Sequence, residues 1–198
     1  METPAPPIVV GIGASAGGLK AYKAFFSALP PDTGMAFVVI SHLNPSAHSQ
    51  LAQILARHTK MPVTLAASGM QVRANEVYVI PSDADLLLES GALKVISPRS
   101  KRNVQIDLFF ESLANAMGAG AVGIIFSGYC GDGSKGCKRI KAVGGTTFAQ
   151  DSSAEVSGMP VSARATGCVD FVLPPEKIPA QLNRLRGRSA GQRGAPQV

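Results

Sequence analysis

The chain has 198 residues, 45% of them hydrophobic, with a net charge of +6 and three cysteines; it is long enough for one domain with a full core and has no apolar run of membrane-spanning length. Four arginines, Arg184, Arg186, Arg188 and Arg193, fall in a closing stretch without acids, so the body carries only +2. A nearly neutral body with no tryptophan and three tyrosines does not read as a nucleic-acid binder.

The seven opening residues have neither a basic start nor an apolar centre, which predicts no secretory leader and a cytoplasmic protein. Residues 8–13 read as a first strand. Residues 18–29 read as a helix, with Leu19, Tyr22, Phe26 and Leu29 at helical spacing. A buried strand over 36–41 and a helix over 46–57, carrying Leu51, Ile54 and Leu55, come next. Short strands at 63–66 and 77–80 lead to a hairpin of 86–89 and 93–96 around Ser90-Gly91. An amphipathic helix over 105–117 precedes a buried strand at 121–127, a helix at 134–143 and a strand at 146–149. Pro160 suits the first turn of a helix running to 166, and a strand at 170–173 and a helix at 176–185 finish the pattern. Continuous apolar strands alternating with helices predict an α/β domain: a doubly wound, mostly parallel sheet with helices on both faces and a small β-hairpin. The organisation reads as an extension over 1–7, one domain over 8–186 and a basic, disordered tail over 187–198.

The turn after the first strand holds the most chemistry. Gly13-Ala14-Ser15-Ala16-Gly17 fits G-x-S-x-G, which lifts a nucleophilic serine onto a sharp strand-to-helix turn. Gly11, Gly13 and Ala16 also fit G-x-G-x-x-G/A, the dinucleotide fingerprint. The dinucleotide pattern needs an acid at the end of the second strand to hold the ribose. That strand instead ends Ile40-Ser41-His42, and the nearest acid, Asp32, precedes it. A nucleophilic serine needs a base, and the base needs an orienting acid. His42 ends a buried strand just before Leu43-Asn44-Pro45, and ligands in open α/β sheets bind beyond such strand ends. His48 reads as the exposed first turn of a helix and His58 as the end of that helix. For the acid, Asp132 in Ser127-Gly128-Tyr129-Cys130-Gly131-Asp132-Gly133 leaves another buried strand and opens a helix, a place where an acid also serves as a simple cap. Asp83, Asp85, Asp107 and Asp151 are alternatives on the same kind of ground. Cys130, Cys137 and Cys168 are too few and too odd in number for a disulfide scaffold, and their spacing is not that of a zinc site.

Taken together, these loops resemble the catalytic domain of the chemotaxis protein-glutamate methylesterases. The likeness runs through Gly13 to Gly18, Ser41-His42, Leu55 to Val63, Val77 to Pro81, Gly128 to Gly133, Gly158-Met159-Pro160, Ala165 to Asp170 and Leu173-Pro174-Pro175. It is strongest to the version fused to a chemoreceptor methyltransferase. The resemblance implies a cofactor-free serine hydrolase that releases methanol from glutamyl methyl esters on the cytoplasmic helices of chemoreceptors and also deamidates receptor glutamines. It makes Ser15 the nucleophile, His42 the general base and Asp132 the orienting acid. Oxyanion donors fall to the backbone N–H groups of Ala16 and Tyr129, with Gly17 and Gly18 leaving room for a polypeptide substrate and Gly128 supporting the loop. The sequence departs from the family at Tyr129-Cys130-Gly131, where Cys130 holds a commonly glycine position, and at Val161, where an arginine is common. A left-handed backbone at Cys130 would be strained. With only seven residues before the first strand, a receiver domain upstream is not expected. Two other readings stay open: a binding module of the same fold that has lost turnover, and a nucleotide-binding domain.

Overall fold

A computed structural model of the chain describes residues 7–192, with side chains through 185. Seven strands form one parallel sheet in the order β3-β4-β2-β1-β7-β8-β9. They are β1 (Ile8–Ala14), β2 (Met35–Ser41), β3 (Val63–Leu65), β4 (Val77–Val79), β7 (Ala121–Ile125), β8 (Thr146–Gln150) and β9 (Phe171–Leu173). A separate antiparallel hairpin joins β5 (Asp85–Glu89) to β6 (Ala92–Ile96). The helices are α1 (Gly18–Ala28), α2 (Leu51–Leu55), α3 (Gln105–Met117), α4 (Ser134–Ala142), α5 (Gly158–Ala165) and α6 (Ile178–Gln192).

The sheet is buried on both faces, as parallel sheets are. Alternation along β2 shows why: Met35, Phe37 and Val39 face one core, and Ala36, Val38 and Ile40 the other. The first core is closed by α1, α2 and α6 through residues such as Phe25, Phe26, Leu55 and Leu182. The second is closed by α3, α4, α5 and the hairpin through Phe109, Phe110, Ile140, Met159 and Leu88. This is the expected doubly wound α/β architecture.

Two elements differ from the sequence reading. Helix α2 begins at Leu51, not residue 46. Asn44 Oδ1 accepts the Ser46 N–H at 3.0 Å and Ser49 Oγ accepts the Leu51 N–H at 3.1 Å, so side chains capture the amides that an earlier helical turn would use. His48 is therefore on an exposed loop and not in a helix. Helix α6 continues to Gln192, into the stretch read as a tail. Residues 1–6 of the extension and 193–198 of the tail lie outside the described residues.

Candidate active site

Strand β1 lies between β2 and β7, where the chain stops adding strands on one side and starts on the other. Such a switch point opens a crevice at the carboxyl ends of the strands. Ala14 is in register with Ser41, so Ser15 and His42 each lie one residue beyond a paired position on neighbouring strands. On the other flank the β1–β7 ladder continues past the strands: Phe126 N–H donates to the Gly13 carbonyl and Ser15 N–H to the Ser127 carbonyl, both at 2.8 Å. Ser15, His42 and Asp132 thus come from the ends of three adjacent strands.

His42 Nε2 and Asp132 Oδ2 are 2.7 Å apart. Asp132 is buried, and backbone donors surround the rest of its carboxylate. Oδ2 also accepts the Ile106 N–H at 3.0 Å, and Oδ1 accepts the N–H groups of Asp107 at 2.9 Å and Gly133 at 2.8 Å. Ile106 and Asp107 lie in the first turn of α3, whose free amides and dipole favour an anion. Asp107 in turn accepts the Gly136 N–H of α4 at 2.8 Å, and burial lifts its own carboxyl above the usual range. The two aspartates cap each other's neighbouring helices.

With Nε2 on Asp132, the nitrogen left to serve a serine is Nδ1. Cys130 Sγ lies 3.9 Å from it, and no hydrogen bond joins Ser15 to His42 among the described residues. Catalytic hydrogen bonds are often open in a resting site and tighten with substrate. Burial pushes the Cys130 thiol up, and the Asp132 charge adds to this, so the sulfur is a neutral neighbour and not a thiolate. Cys130 has no left-handed backbone, so the strain expected at this position is absent. Cys137 is fully buried in the second core, its thiol pushed up to about 12 by burial.

The two amides read as oxyanion donors have fixed directions. A trans peptide points its N–H opposite the preceding carbonyl. The Ser15 carbonyl accepts the Gly18 N–H at 3.0 Å, and the Gly128 carbonyl accepts the Met159 N–H at 2.8 Å. Each bond locks the plane that carries the Ala16 or Tyr129 N–H. Neither of these N–H groups donates to a backbone or side-chain acceptor among the described residues. Gly17 has φ of +73°, and a Cβ there would sit 2.6 Å from Ser127 Oγ, so both space and conformation call for glycine. Gly18 and Gly128 are equally hemmed in: a Cβ on Gly18 would lie 2.5 Å from Ala14 Cβ, and one on Gly128 would lie 2.0 Å from Met159 Sδ and 3.0 Å from Ser15 Cβ. These glycines let chain segments touch; they do not leave a void for substrate. The Tyr129 ring is 78% exposed at the rim.

The alternative acids are engaged elsewhere. Asp83 pairs with Arg99 at 3.6 Å, Asp85 holds Gln105 and the Ser100 N–H, and Asp151 Oδ1 accepts the Ser153 N–H. His58 Nδ1 lies 3.2 Å from Ser27 Oγ, away from the crevice. No group of three or more His, Cys, Asp or Glu among the described residues is placed to hold a metal. Gly11 and Gly13, which suggested a dinucleotide loop, face α3: a Cβ would lie 2.9 Å from the Phe110 ring and 2.5 Å from Ile106 respectively. Sequence reasoning quoted Ser127 and Gly158-Met159-Pro160 within motifs but gave them no role. The buried Ser127 hydroxyl and the backbone bonds of Val156 and Met159 act behind the turn, and residue patterns give no signal for such partners.

Residues 10–182 match the model of the CheB methylesterase family. A protein-glutamate methylesterase/protein-glutamine glutaminase 2 from Cupriavidus metallidurans is 34% identical over 184 residues, covering 91% of this chain and 54% of the relative. A protein-glutamate methylesterase/protein-glutamine glutaminase 1 from Geobacter metallireducens is 36% identical over 181 residues, covering 88% of this chain and 50% of the relative. The chain therefore spans about half the length of the curated relatives it matches. The crystal structure of the Thermotoga maritima CheB methylesterase catalytic domain superposes with a TM-score of 0.83 at 30% identity, covering 90% of this chain and 98% of that one. On sequence and on fold, the chain belongs to the CheB methylesterase family.

Proposed function

We propose that this chain hydrolyses glutamyl methyl esters on proteins with Ser15 as nucleophile, His42 as base and Asp132 as orienting acid. The observation that carries the reading is His42 held by a buried, backbone-cradled Asp132 beside the Ser15 turn. Ser15 Oγ bonds to the ester carbonyl carbon while its proton passes to His42 Nδ1. The imidazolium is stabilised by Asp132 through Nε2. The carbonyl oxygen, now an oxyanion, takes the N–H groups of Ala16 and Tyr129. The carbon–methoxy bond breaks, and His42 returns the proton to methanol. Water then attacks the acyl-enzyme with His42 as base, freeing the glutamate and Ser15. A glutamine amide follows the same steps with ammonia as leaving group, in line with the double name of the relatives.

The preferred substrates are methylated cytoplasmic helices of chemoreceptors or a similarly methylated protein, which places the chain in the cytoplasm. A methyltransferase domain joined in a longer fusion would be its natural companion. Among the described residues no helix is long and apolar enough to cross a membrane.

The test is methanol release from a methylated receptor. Ser15 sits in a turn with no side-chain hydrogen bond among the described residues, so Ser15→Ala should fold normally and lose about 10⁴-fold or more in rate. It should also lose labelling by a fluorophosphonate. Turnover near the parental rate in this variant would exclude the serine mechanism.

A further inference from the structure

The segment from β8 into the first turn of α5 holds the site at three points. Its Val156 carbonyl accepts the Gly128 N–H at 2.9 Å, and its Val156 N–H donates to Ser127 Oγ at 2.9 Å. Ser127 is fully buried, and its hydroxyl donates to the Ala16 carbonyl at 2.7 Å. The Met159 N–H, in the first turn of α5, holds the Gly128 carbonyl. One serine and one helix amide therefore join the β1–α1 turn, the β7–α4 loop and the start of α5.

Gly158 allows this approach. A Cβ there would fall 2.2 Å from the Tyr129 carbonyl oxygen and 2.9 Å from that of Gly128. These atoms flank the Tyr129 amide. Gly158 is the first residue of α5 and has no left-handed backbone. Alanine is intrinsically the better residue at such a position. The glycine is held there by the contact with the loop and not by the helix.

We propose that the β8–α5 segment, clamped by Ser127 and seated by Gly158, sets the direction of the Tyr129 N–H and so is a positioning element of the oxyanion site. The inference rests on the serine-hydrolase reading above. Oxyanion donors act by being aimed in advance at where charge develops, and losing one costs about 10²–10³-fold in kcat. An error in aim should weaken the transition state while sparing the bound substrate, so it appears in kcat and not in KM.

The experiment compares the full chain with Gly158→Ala, Ser127→Ala and Ser15→Ala. The readouts are kcat and KM on a peptide bearing a glutamyl methyl ester, the affinity of an alkyl boronate that forms a tetrahedral adduct on Ser15, and melting temperature. Gly158→Ala is expected to lose about 100-fold in kcat with KM within about threefold, and to weaken the boronate by a similar factor. Ser127→Ala should show the same pattern at about tenfold. If Gly158→Ala does not fold, Ser127→Ala, which loses only a hydroxyl, decides. Parental kcat in a folded Ser127→Ala or Gly158→Ala overturns the proposal, as does a loss confined to KM. Retained turnover in Ser15→Ala would instead sink the serine-hydrolase reading, so the two failures are distinguishable.

Discussion

The two faces of the sheet are packed in opposite ways. On the α1 face, large side chains come from both layers: Phe25 of α1 meets Phe37 at 6.0 Å and Phe126 at 5.9 Å between ring centres. On the α3 face the central strands β1 and β7 present Gly11, Gly13 and Gly123 between strand residues such as Val38, Ile40 and Ile125, and over those glycines the bulk comes from the helix side as Ile106, Phe109, Phe110 and Ile140. The first arrangement holds a helix away from the sheet by its side chains. The second lets α3 sink onto the strand backbones, and its first turn then delivers the Ile106 and Asp107 amides to Asp132. Packing depth on the α3 face thus also sets the geometry around Asp132, whereas the α1 face meets the site at the Gly18 N–H that holds the Ser15 carbonyl.

A matched pair of core changes would break this contrast if it is wrong. Gly13→Ala places a methyl 2.5 Å from Ile106 Cγ2, so the Ile106 side chain must shift or carry the start of α3 with it. Overpacking of this kind costs about 1–3 kcal/mol, and a displacement near 1 Å at a reacting group can cost about 10²-fold in rate. Val10→Ala, on the α1 face, should cost about 2 kcal/mol through a cavity and leave kcat unchanged. Equal turnover in the two variants, measured alongside their melting temperatures, would mean that α3 depth does not tune the site.

A second test sharpens the contrast within the α3 face, through the mutual capping of α3 and α4. Burial holds the Asp107 carboxyl above the usual carboxylate range, so the folded protein binds its proton more tightly than the unfolded chain does. Stability from this group is present below the unfolded value and falls as pH rises through the folded one. Asp107→Asn keeps an acceptor for the Gly136 N–H but cannot ionise. Its melting temperature should fall less than the parent's as pH rises above the ordinary aspartate value; an unchanged slope would count against a burial penalty at this position.

The smallest effect is expected at Cys130, which packs against the same core. Its sulfur lies against the free nitrogen of His42 and its backbone is unstrained. Cys130→Ala should therefore preserve or modestly raise turnover, with a melting point lower by about 2–4 °C for a loss near 1 kcal/mol. Lost turnover at an unchanged melting point would give the thiol a role in the reaction.

Much of the frame was legible because its signals are local. The apolar runs of β1, β2 and β7 and the spacing in α3, over residues 105–117, follow directly from burial on two faces and one face respectively. Helix α2 was overextended because Asn44 and Ser49 compete for its first amides, a choice that hydrophobic spacing does not record. The site divides in the same way. Ser15, His42 and Asp132 stand out as chemistry-bearing residues at strand ends, while residue pattern alone left Asp83 and Asp151 open and the choice of Asp132 rested on the family resemblance. The roles of Ser127, Val156 and the Met159 amide were invisible, since the partners of a buried hydroxyl and of a peptide plane leave no pattern in the sequence. Gly11 and Gly13 misled for the converse reason: glycine marks any close approach, and here the neighbour is a helix and not a phosphate.

The four donors on Asp132 carry an implication for how this architecture decays. Its carboxylate tethers the start of α3 and the turn into α4, so its loss harms folding whether or not the protein is an enzyme. Ser15 has no such duty. A descendant that abandoned hydrolysis would be free to drop the serine and pressed to keep the aspartate. An intact aspartate is therefore a poor sign of a working enzyme, and the serine is the residue by which living and fossil copies of this fold should be sorted.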